Sequence, residues 1–238
     1  MMSGRKRWRG WVNKYELLIF DWDGTLVDSI GRIVESISVA AARCDLPSLD
    51  ENAIRAIIGL GLPEAIAMLY PHVKDARTAE AFRRAYADHY LMLESEPSVP
   101  YPGVASALQR FRDQGYLLAV ATGKGRRGLD RVIAEQGWHE LFDVTRCADE
   151  TASKPDPLMI EEILSHCRVE PQRALMIGDS VFDLEMARRA GVDSVAVAYG
   201  AQPIEALRAC SPSLAINRFS ELSDWLCSAE STKVSAYV

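Results

Sequence analysis

The stretch LLIFDWDGT, residues 17–25, joins an uninterrupted apolar run to a polar segment that contains two aspartates and a glycine. A short apolar run that stops at such residues is typical of a parallel strand buried on both faces. Three later runs have the same form, and each ends at a pair of residues that includes glycine: 116–121, 174–177 and 194–198. Together these runs predict the strands of one parallel sheet.

Helical patterns separate these runs. Apolar residues recur at helical spacing from Val104 to Phe111, and Pro157 suits the first turn of a helix that extends to Leu164. Residues 181–190 fit a further short helix. Alternating strands and helices predict an α/β fold, in which a Rossmannoid, doubly wound parallel sheet carries helices on both faces.

Residues 28–98 show no strand pattern. One apolar helical face runs from Ile30 to Ala41 and another from Phe82 to Leu93. The segment therefore predicts an all-helical cap domain of about 70 residues inserted after the first strand. The core domain would then be discontinuous and comprise residues 14–27 and 99–238.

The overall composition narrows the class of protein. The chain has 238 residues, of which 48% are hydrophobic and 25% charged, as in an ordinary globular protein. Its net charge of −6 argues against nucleic acid as a partner, and no apolar run reaches the roughly 18–20 residues of a membrane span. The five cysteines are not spaced as a metal or redox pair, which favours a cytoplasmic location. We expect a monomer or a homodimer.

The first residues are strongly basic. Residues 1–14 carry five lysine or arginine side chains and no acidic one. The segment lacks the apolar stretch and cleavage site of a secretory signal. We expect residues 1–13 to be a disordered basic leader.

Polar side chains follow the predicted strands. The carboxyl ends of the strands in an open α/β sheet face its ligand crevice, so these side chains should converge. Clustered carboxylates repel one another unless a cation lies between them, and Mg²⁺ prefers oxygen ligands that it shares with substrate phosphate. The sequence therefore predicts a magnesium-dependent phosphate site formed by Asp21, Asp23, Thr122, Lys154 and Asp179.

The reactivity of these groups suggests the chemistry. An aspartate can attack phosphorus to form an aspartyl-phosphate, and a second carboxyl group can protonate the leaving oxygen and then activate water. The Thr122 hydroxyl and the N–H groups near Gly123 can hold phosphate oxygens. The ammonium of a lysine can neutralise the charge on the transferring group.

Four segments resemble, in the same order, the four motifs of the haloacid dehalogenase superfamily. They are DWDGTLV at 21–27, TGK at 122–124, KPDP at 154–157 and GDSVFD at 178–183. The predicted helical insert stands where that family carries its first-type cap. Within the superfamily, the pattern is most similar to phosphoglycolate phosphatase-like enzymes.

The resemblance implies a role for each matching residue. Asp21 would be the catalytic nucleophile and a metal ligand, and Asp23 would be the general acid and base. Asp23 would also bind the metal through its backbone carbonyl, and Asp179 would be the remaining protein ligand. Asp183 would support Lys154. The phosphoryl group would be bound by Trp22, Asp23, Thr122, Gly123 and the catalytic Lys154.

The resemblance also implies where the substrate is recognised. The substrate loop of the cap would comprise Arg55, Gly59, Leu60 and Gly61. Because Asp23 provides a second acid, phosphoryl transfer is favoured over dehalogenation. The implied activity is Mg²⁺-dependent hydrolysis of a small phosphorylated metabolite, with 2-phosphoglycolate as the first candidate, through an aspartyl-phosphate. A β-phosphoglucomutase-type transfer, an inorganic pyrophosphatase and a non-enzymatic α/β binding or regulatory protein that retains the site are alternatives.

One motif points to a different cofactor. The sequence GKGRRG at 123–128 matches the dinucleotide fingerprint G-x-G-x-x-G between a predicted strand and a helix. Asp143 lies 20 residues beyond Gly123, but it stands at the start of the next apolar stretch instead of at its end, where it is poorly placed to reach a ribose. Lys124 and two arginines also crowd the loop. We therefore favour the phosphate site.

Overall fold

The computed structural model describes residues 14–94 and 98–231, so the predicted leader at 1–13 lies outside the described residues. The described chain forms eight strands. They are β1 (Leu17–Phe20), β2 (Val27–Asp28), β3 (Val99–Pro100), β4 (Leu117–Thr122), β5 (Val144–Cys147), β6 (Ala174–Gly178), β7 (Asp193–Val197) and β8 (Leu214–Ile216).

Ten α-helices connect these strands within the described residues. They are α1 (Ile30–Arg43), α2 (Glu51–Arg55), α3 (Leu62–Leu69), α4 (Ala76–Leu93), α5 (Val104–Asp113), α6 (Arg126–Gln136), α7 (Leu158–Cys167), α8 (Val181–Arg189), α9 (Ile204–Ala209) and α10 (Ser220–Ser231). None of them is both long and apolar enough to cross a membrane.

Six of the strands form one parallel sheet in the order β5-β4-β1-β6-β7-β8. Strand β1 lies at its centre, and all four of its residues are fully buried. Its side chains alternate between two apolar layers, because successive residues of a strand point to opposite faces. Leu18 and Phe20 pack with α5, α6 and α10, whereas Leu17 and Ile19 pack with α7 and α8. The predicted doubly wound α/β fold is confirmed.

Helices α1 to α4 lie between β1 and β4 along the chain and share an apolar core of their own. Ile33 and Ile37 of α1 contribute to this core together with Phe82 and Tyr90 of α4. The chain enters and leaves this helical segment through a small antiparallel ribbon of β2 and β3. Asp28, which the sequence pattern assigns to the helical insert, lies in this ribbon. The division into a core of 14–27 and 99–238 and a cap of 28–98 stays a prediction.

Candidate active site

The register of the sheet brings three strand ends together. Phe20 at the end of β1 pairs with Val120 of β4 and with Ile177 of β6. The chain therefore delivers Asp21, Thr122 and Asp179 to the same edge of the sheet. The Asp21 N–H still donates to the Ile177 carbonyl over 2.9 Å, so the backbone is fixed where the polar segment begins.

Lys154 is the buried cation of this site. Its Nζ lies 2.6 Å from Asp21 Oδ1 and 2.6 Å from Asp183 Oδ1, and no part of its side chain is exposed. Burial lowers the pKa of Lys154, but the two carboxylates outweigh this effect and hold the pKa above its ordinary value. The ammonium is therefore charged and positioned by two acids from different elements.

Asp21 has one engaged oxygen and one free oxygen. Oδ1 accepts the bond from Lys154, whereas Oδ2 is buried and has no hydrogen-bond partner among the described residues. Burial raises the pKa of Asp21 well above its ordinary value; Lys154 opposes this shift, and the neighbouring Asp183 and Asp179 add to it. An unpartnered buried carboxylate oxygen is costly unless a ligand satisfies it.

Asp179 lies against glycines that allow close approach. Its Oδ1 accepts a bond from the Thr25 hydroxyl over 3.1 Å, and its Oδ2 accepts one from the Ala201 N–H over 2.6 Å. A side chain at Gly24 or at Gly200 would place its Cβ 2.2 Å from Asp179 Oδ2. Burial, together with the charge of Asp183, raises the pKa of Asp179 to about 7.

Asp183 is held by the start of α8. Its Oδ2 accepts bonds from the N–H and the hydroxyl of Ser180, which is the residue before the helix. This reciprocal arrangement is a capping box. Its Oδ1 lies 2.6 Å from Lys154 Nζ, so Asp183 joins the start of α8 to the buried ammonium through an ion pair.

The site contains a donor set that suits a hard divalent cation. Carboxylate oxygens of Asp21, Asp179 and Asp183 all lie within 4.8 Å of one another. Three buried carboxylates with one nearby lysine repel one another, and Mg²⁺ binds such oxygens. The unpartnered Oδ2 of Asp21 provides an available ligand atom, so the residues present fit the predicted cation.

Asp23 lies at the start of the tight turn that leads into β2. Its Oδ1 accepts a bond from the Ser29 hydroxyl over 2.7 Å and lies 3.2 Å from Lys124 Nζ. Gly24, which follows, has a φ of 83°, a conformation that favours glycine. The turn thus places the second carboxylate above the sheet edge, facing the helical segment.

The ammonium of Lys124 belongs to the site, although the sequence analysis placed this residue in the second motif without assigning it a role. Its Nζ donates to the Tyr90 hydroxyl over 3.2 Å and lies 4.5 Å from the centre of that ring. Burial lowers the pKa of Lys124, but Asp23 and the Tyr90 and Tyr86 hydroxyls outweigh this and raise it. The position of Lys124 directly after Thr122-Gly123, which are predicted to bind phosphate, is the sequence feature that could have identified it as a site residue.

The other predicted phosphate-binding residues lie at the end of β4 or beside it. Thr122 is fully buried, and its Oγ1 accepts a bond from the Lys124 N–H over 3.1 Å. The Trp22 ring packs edge-on against Trp138, so only the backbone of Trp22 can contact a ligand in the site.

The predicted substrate loop lies directly on the sheet edge. A Cβ at Gly123 would stand 2.4 Å from the Leu60 carbonyl oxygen and 2.7 Å from that of Gly59, and the Gly61 N–H donates to Ser153 Oγ. Arg55 donates to the backbone carbonyls of Gly200 and Ala201. The guanidinium of Arg55 thus ties α2 to the loop after β7.

The alternative dinucleotide site lacks its acidic residue. Asp143 accepts a bond from the Leu118 N–H and forms an ion pair with Arg112 over 2.5 Å. Its carboxylate is therefore engaged beside α5 instead of facing the loop at 123–128.

Comparison with known proteins agrees with this geometry. The family model for haloacid dehalogenase-like hydrolases matches residues 18–197. This chain belongs to that family. The match spans all four motifs and the helical segment between β1 and β4, and the family prediction is confirmed.

Individual relatives of this haloacid dehalogenase-like hydrolase cover most of both chains. A protein of Dickeya dadantii named "Probable phosphatase IndB" is 35% identical over 87% of this chain and 91% of its own. A phosphoglycolate phosphatase of Mesorhizobium japonicum is 32% identical, with 87% and 92% covered. A solved structure from Haemophilus somnus, described as a predicted phosphoglycolate phosphatase, is 25% identical with a TM-score of 0.77 and covers 89% and 97%.

Proposed function

We propose that this hydrolase is a Mg²⁺-dependent phosphatase of small phosphomonoesters, with 2-phosphoglycolate as the first substrate to test. The observation that carries the proposal is the Asp21 carboxylate, which has one oxygen bound by Lys154 and the other without a partner in the described part of the chain. The bond from Lys154 fixes the orientation that a nucleophile needs, and the second oxygen leaves a position for the cation, so the two oxygens of one carboxylate can serve the two roles. Its relatives named as phosphatases support the same class of reaction.

In the first step, an Asp21 oxygen attacks phosphorus. The new Asp21–phosphorus bond forms while the bond between phosphorus and the ester oxygen breaks. Asp23 gives its proton to the departing oxygen, so the leaving group departs as an alcohol. Lys154, the Thr122 hydroxyl and the N–H groups near Gly123 bind the phosphoryl oxygens and stabilise their charge.

In the second step, Asp23 removes a proton from a water molecule, whose oxygen attacks the phosphorus of the aspartyl-phosphate. The bond to Asp21 breaks, inorganic phosphate leaves, and the Asp21 carboxylate is restored. A bound Mg²⁺ would be held by Asp21, Asp179 and the Asp23 carbonyl and would neutralise charge during both steps. The backbone of Gly59 and Leu60, which lies against Gly123, would exclude bulk water from this edge.

The decisive experiment is hydrolysis of p-nitrophenyl phosphate and 2-phosphoglycolate by wild type and Asp21→Asn. The variant should lose roughly four orders of magnitude in kcat because the nucleophile is gone. Asp88→Asn, which changes an exposed aspartate of α4, is the matched control and should retain full activity. Activity that survives Asp21→Asn, or that EDTA leaves unchanged, would contradict the proposed mechanism.

A further inference from the structure

We infer that Lys124 and the Tyr90 hydroxyl together bind a carboxylate on the leaving group, which makes Lys124 a specificity-determining residue. This inference rests on the proposed phosphatase function and refines it. It selects phosphomonoesters of 2-hydroxycarboxylic acids, in which the carboxylate is bonded to the carbon that bears the phosphate ester.

The first observation is that Lys124 is a cation enclosed by two parts of the chain. Its loop follows β4, whereas Tyr90 belongs to α4 in the helical segment. Only 10% of the Lys124 side chain is exposed. A long lysine side chain normally keeps its charged end in water, so its enclosure at a sheet edge that carries reactive groups indicates a function for that charge.

The second observation concerns unused hydrogen-bonding capacity. An ammonium has three N–H donors, and within the described part of the chain the Lys124 ammonium contacts Asp23 Oδ1 and the Tyr90 hydroxyl. The Tyr90 hydroxyl accepts one of these bonds, which leaves its own proton to donate. Lys124 and Tyr90 can therefore present two adjacent donors to one anionic group.

The third observation is the distance from the reacting bond. The ester oxygen must lie about 3 Å from the Asp23 carboxyl group to receive its proton. Since Lys124 Nζ lies 3.2 Å from Asp23 Oδ1, an ester oxygen that receives its proton from Oδ1 lies within about 6 Å of the ammonium. A carboxylate on the adjacent carbon spans about 3 Å of that distance, and a hydrogen bond of about 3 Å spans the rest.

A carboxylate suits this position better than a neutral group. The ammonium is desolvated, and a charged acceptor binds such a donor roughly twice as strongly as a neutral one. A carboxylate several carbons farther from the ester lies beyond this distance when its chain is extended. The arrangement thus selects both the charge and the length of the leaving group.

A purely structural role for Lys124 predicts a different result. If Lys124 only positioned Asp23, its loss would slow the hydrolysis of every phosphomonoester by the same factor. The discriminating quantity is therefore a ratio, namely kcat/KM for 2-phosphoglycolate divided by kcat/KM for carbamoylmethyl phosphate. The second ester has the same size but carries a neutral amide in place of the carboxylate.

In Lys124→Met, this ratio should fall by about 30-fold or more, because one partner of an enclosed charge pair is removed. Tyr90→Phe should lower the ratio by about fivefold, since one hydrogen bond to the carboxylate is lost. Lys74→Met, which changes an exposed lysine, should leave it unchanged. A ratio that stays constant in both Lys124→Met and Tyr90→Phe would overturn the inference.

A binding measurement separates this inference from the proposed function. Calorimetry with 3-phosphonopropionate and its amide uses analogues in which a methylene group replaces the ester oxygen, so no hydrolysis is needed. Wild type should prefer the carboxylate by about 30-fold, and Lys124→Met should show no preference. Equal affinities in wild type would overturn the carboxylate site even if phosphatase activity is present. Selective binding without any phosphatase activity would instead contradict the proposed function.

Discussion

Lys154 Nζ lies 2.6 Å from Asp21 Oδ1, although the two residues are 133 positions apart in the chain. The bond fixes one oxygen of the carboxylate and leaves the other, Oδ2, without a partner among the described residues. Asp183 Oδ1 lies 2.6 Å from the same ammonium and so helps to hold Lys154 in position. The orientation of Asp21, the proposed nucleophile, therefore also depends on Asp183, which acts through Lys154.

Replacing Asp183 with alanine should weaken both folding and activity. The variant leaves Lys154 buried with one carboxylate instead of two and removes the acceptor for Ser180. Breaking a buried ion pair costs about 3 kcal/mol in the free energy of unfolding. We expect a loss of this size in urea denaturation and a fall of about 100-fold in kcat through misplacement of the reacting groups. Asp88→Ala is the surface control, and an Asp183→Ala protein with wild-type stability would refute the role assigned to this pair.

Magnesium should stabilise the metal-free protein. Asp21, Asp179 and Asp183 place three carboxylates within 4.8 Å of one another, and a divalent cation would relieve their repulsion. At a concentration about 100-fold above its Kd, Mg²⁺ should raise the melting temperature by about 5 °C or more. The shift should be lost in Asp179→Asn, and NaCl at equal ionic strength should not reproduce it. An equal shift in wild type and Asp179→Asn would place the cation elsewhere.

A methyl group at Gly123 should impair substrate binding more than folding. Its Cβ would stand 2.4 Å from the Leu60 carbonyl oxygen, which forces the substrate loop away from the sheet edge. We expect Gly123→Ala to raise KM by about tenfold, which corresponds to about 1.4 kcal/mol. Gly31→Ala is the matched control: its Cβ meets nothing within 4 Å, so KM should not change. Alanine at this helical position should stabilise the fold by about 0.5–1 kcal/mol. Equal KM values for both variants would show that the loop is not close to bound substrate.

The contribution of Glu150 to stability should depend on pH. Its bonds with Arg126, one of them 2.6 Å long, hold the pKa of Glu150 below its ordinary value of 4.5. A lowered carboxyl pKa stabilises the folded state above the ordinary value, and this stabilisation is lost as the pH falls through the folded-state pKa. Because the pair is partly exposed, Glu150→Gln should cost about 1 kcal/mol or less at pH 7.

Denaturation curves at several pH values test this prediction. The difference between wild type and Glu150→Gln should shrink as the pH drops below 4.5. Glu140→Gln, at an exposed position, should show no such trend. A difference that grows toward acidic pH would reverse the sign of the effect and contradict the assignment.

A strand could be predicted from the sequence when a few adjacent residues were enough to identify it. Leu17–Phe20 is apolar throughout and ends at Asp21, so its burial and direction follow from a few adjacent residues. The short strands β5 and β8 carry weaker patterns, and the predicted set of strands missed them. Thr145 and Arg146 are only half-buried in β5, which is an edge strand, so its apolar run is interrupted.

The sequence by itself determined the doubly wound sheet, the helical insert and the set of acids and the lysine that the family motifs mark. These features follow from hydrophobic periodicity and from residues next to strand ends, and both are readable along the chain. Only the tertiary structure decided that the Lys124 ammonium meets Tyr90 and Asp23, and that the backbone of Leu60 lies against Gly123. The physical reason is that such contacts depend on how the helical segment packs on the sheet, where long-range packing selects one of many rotamers available to each side chain.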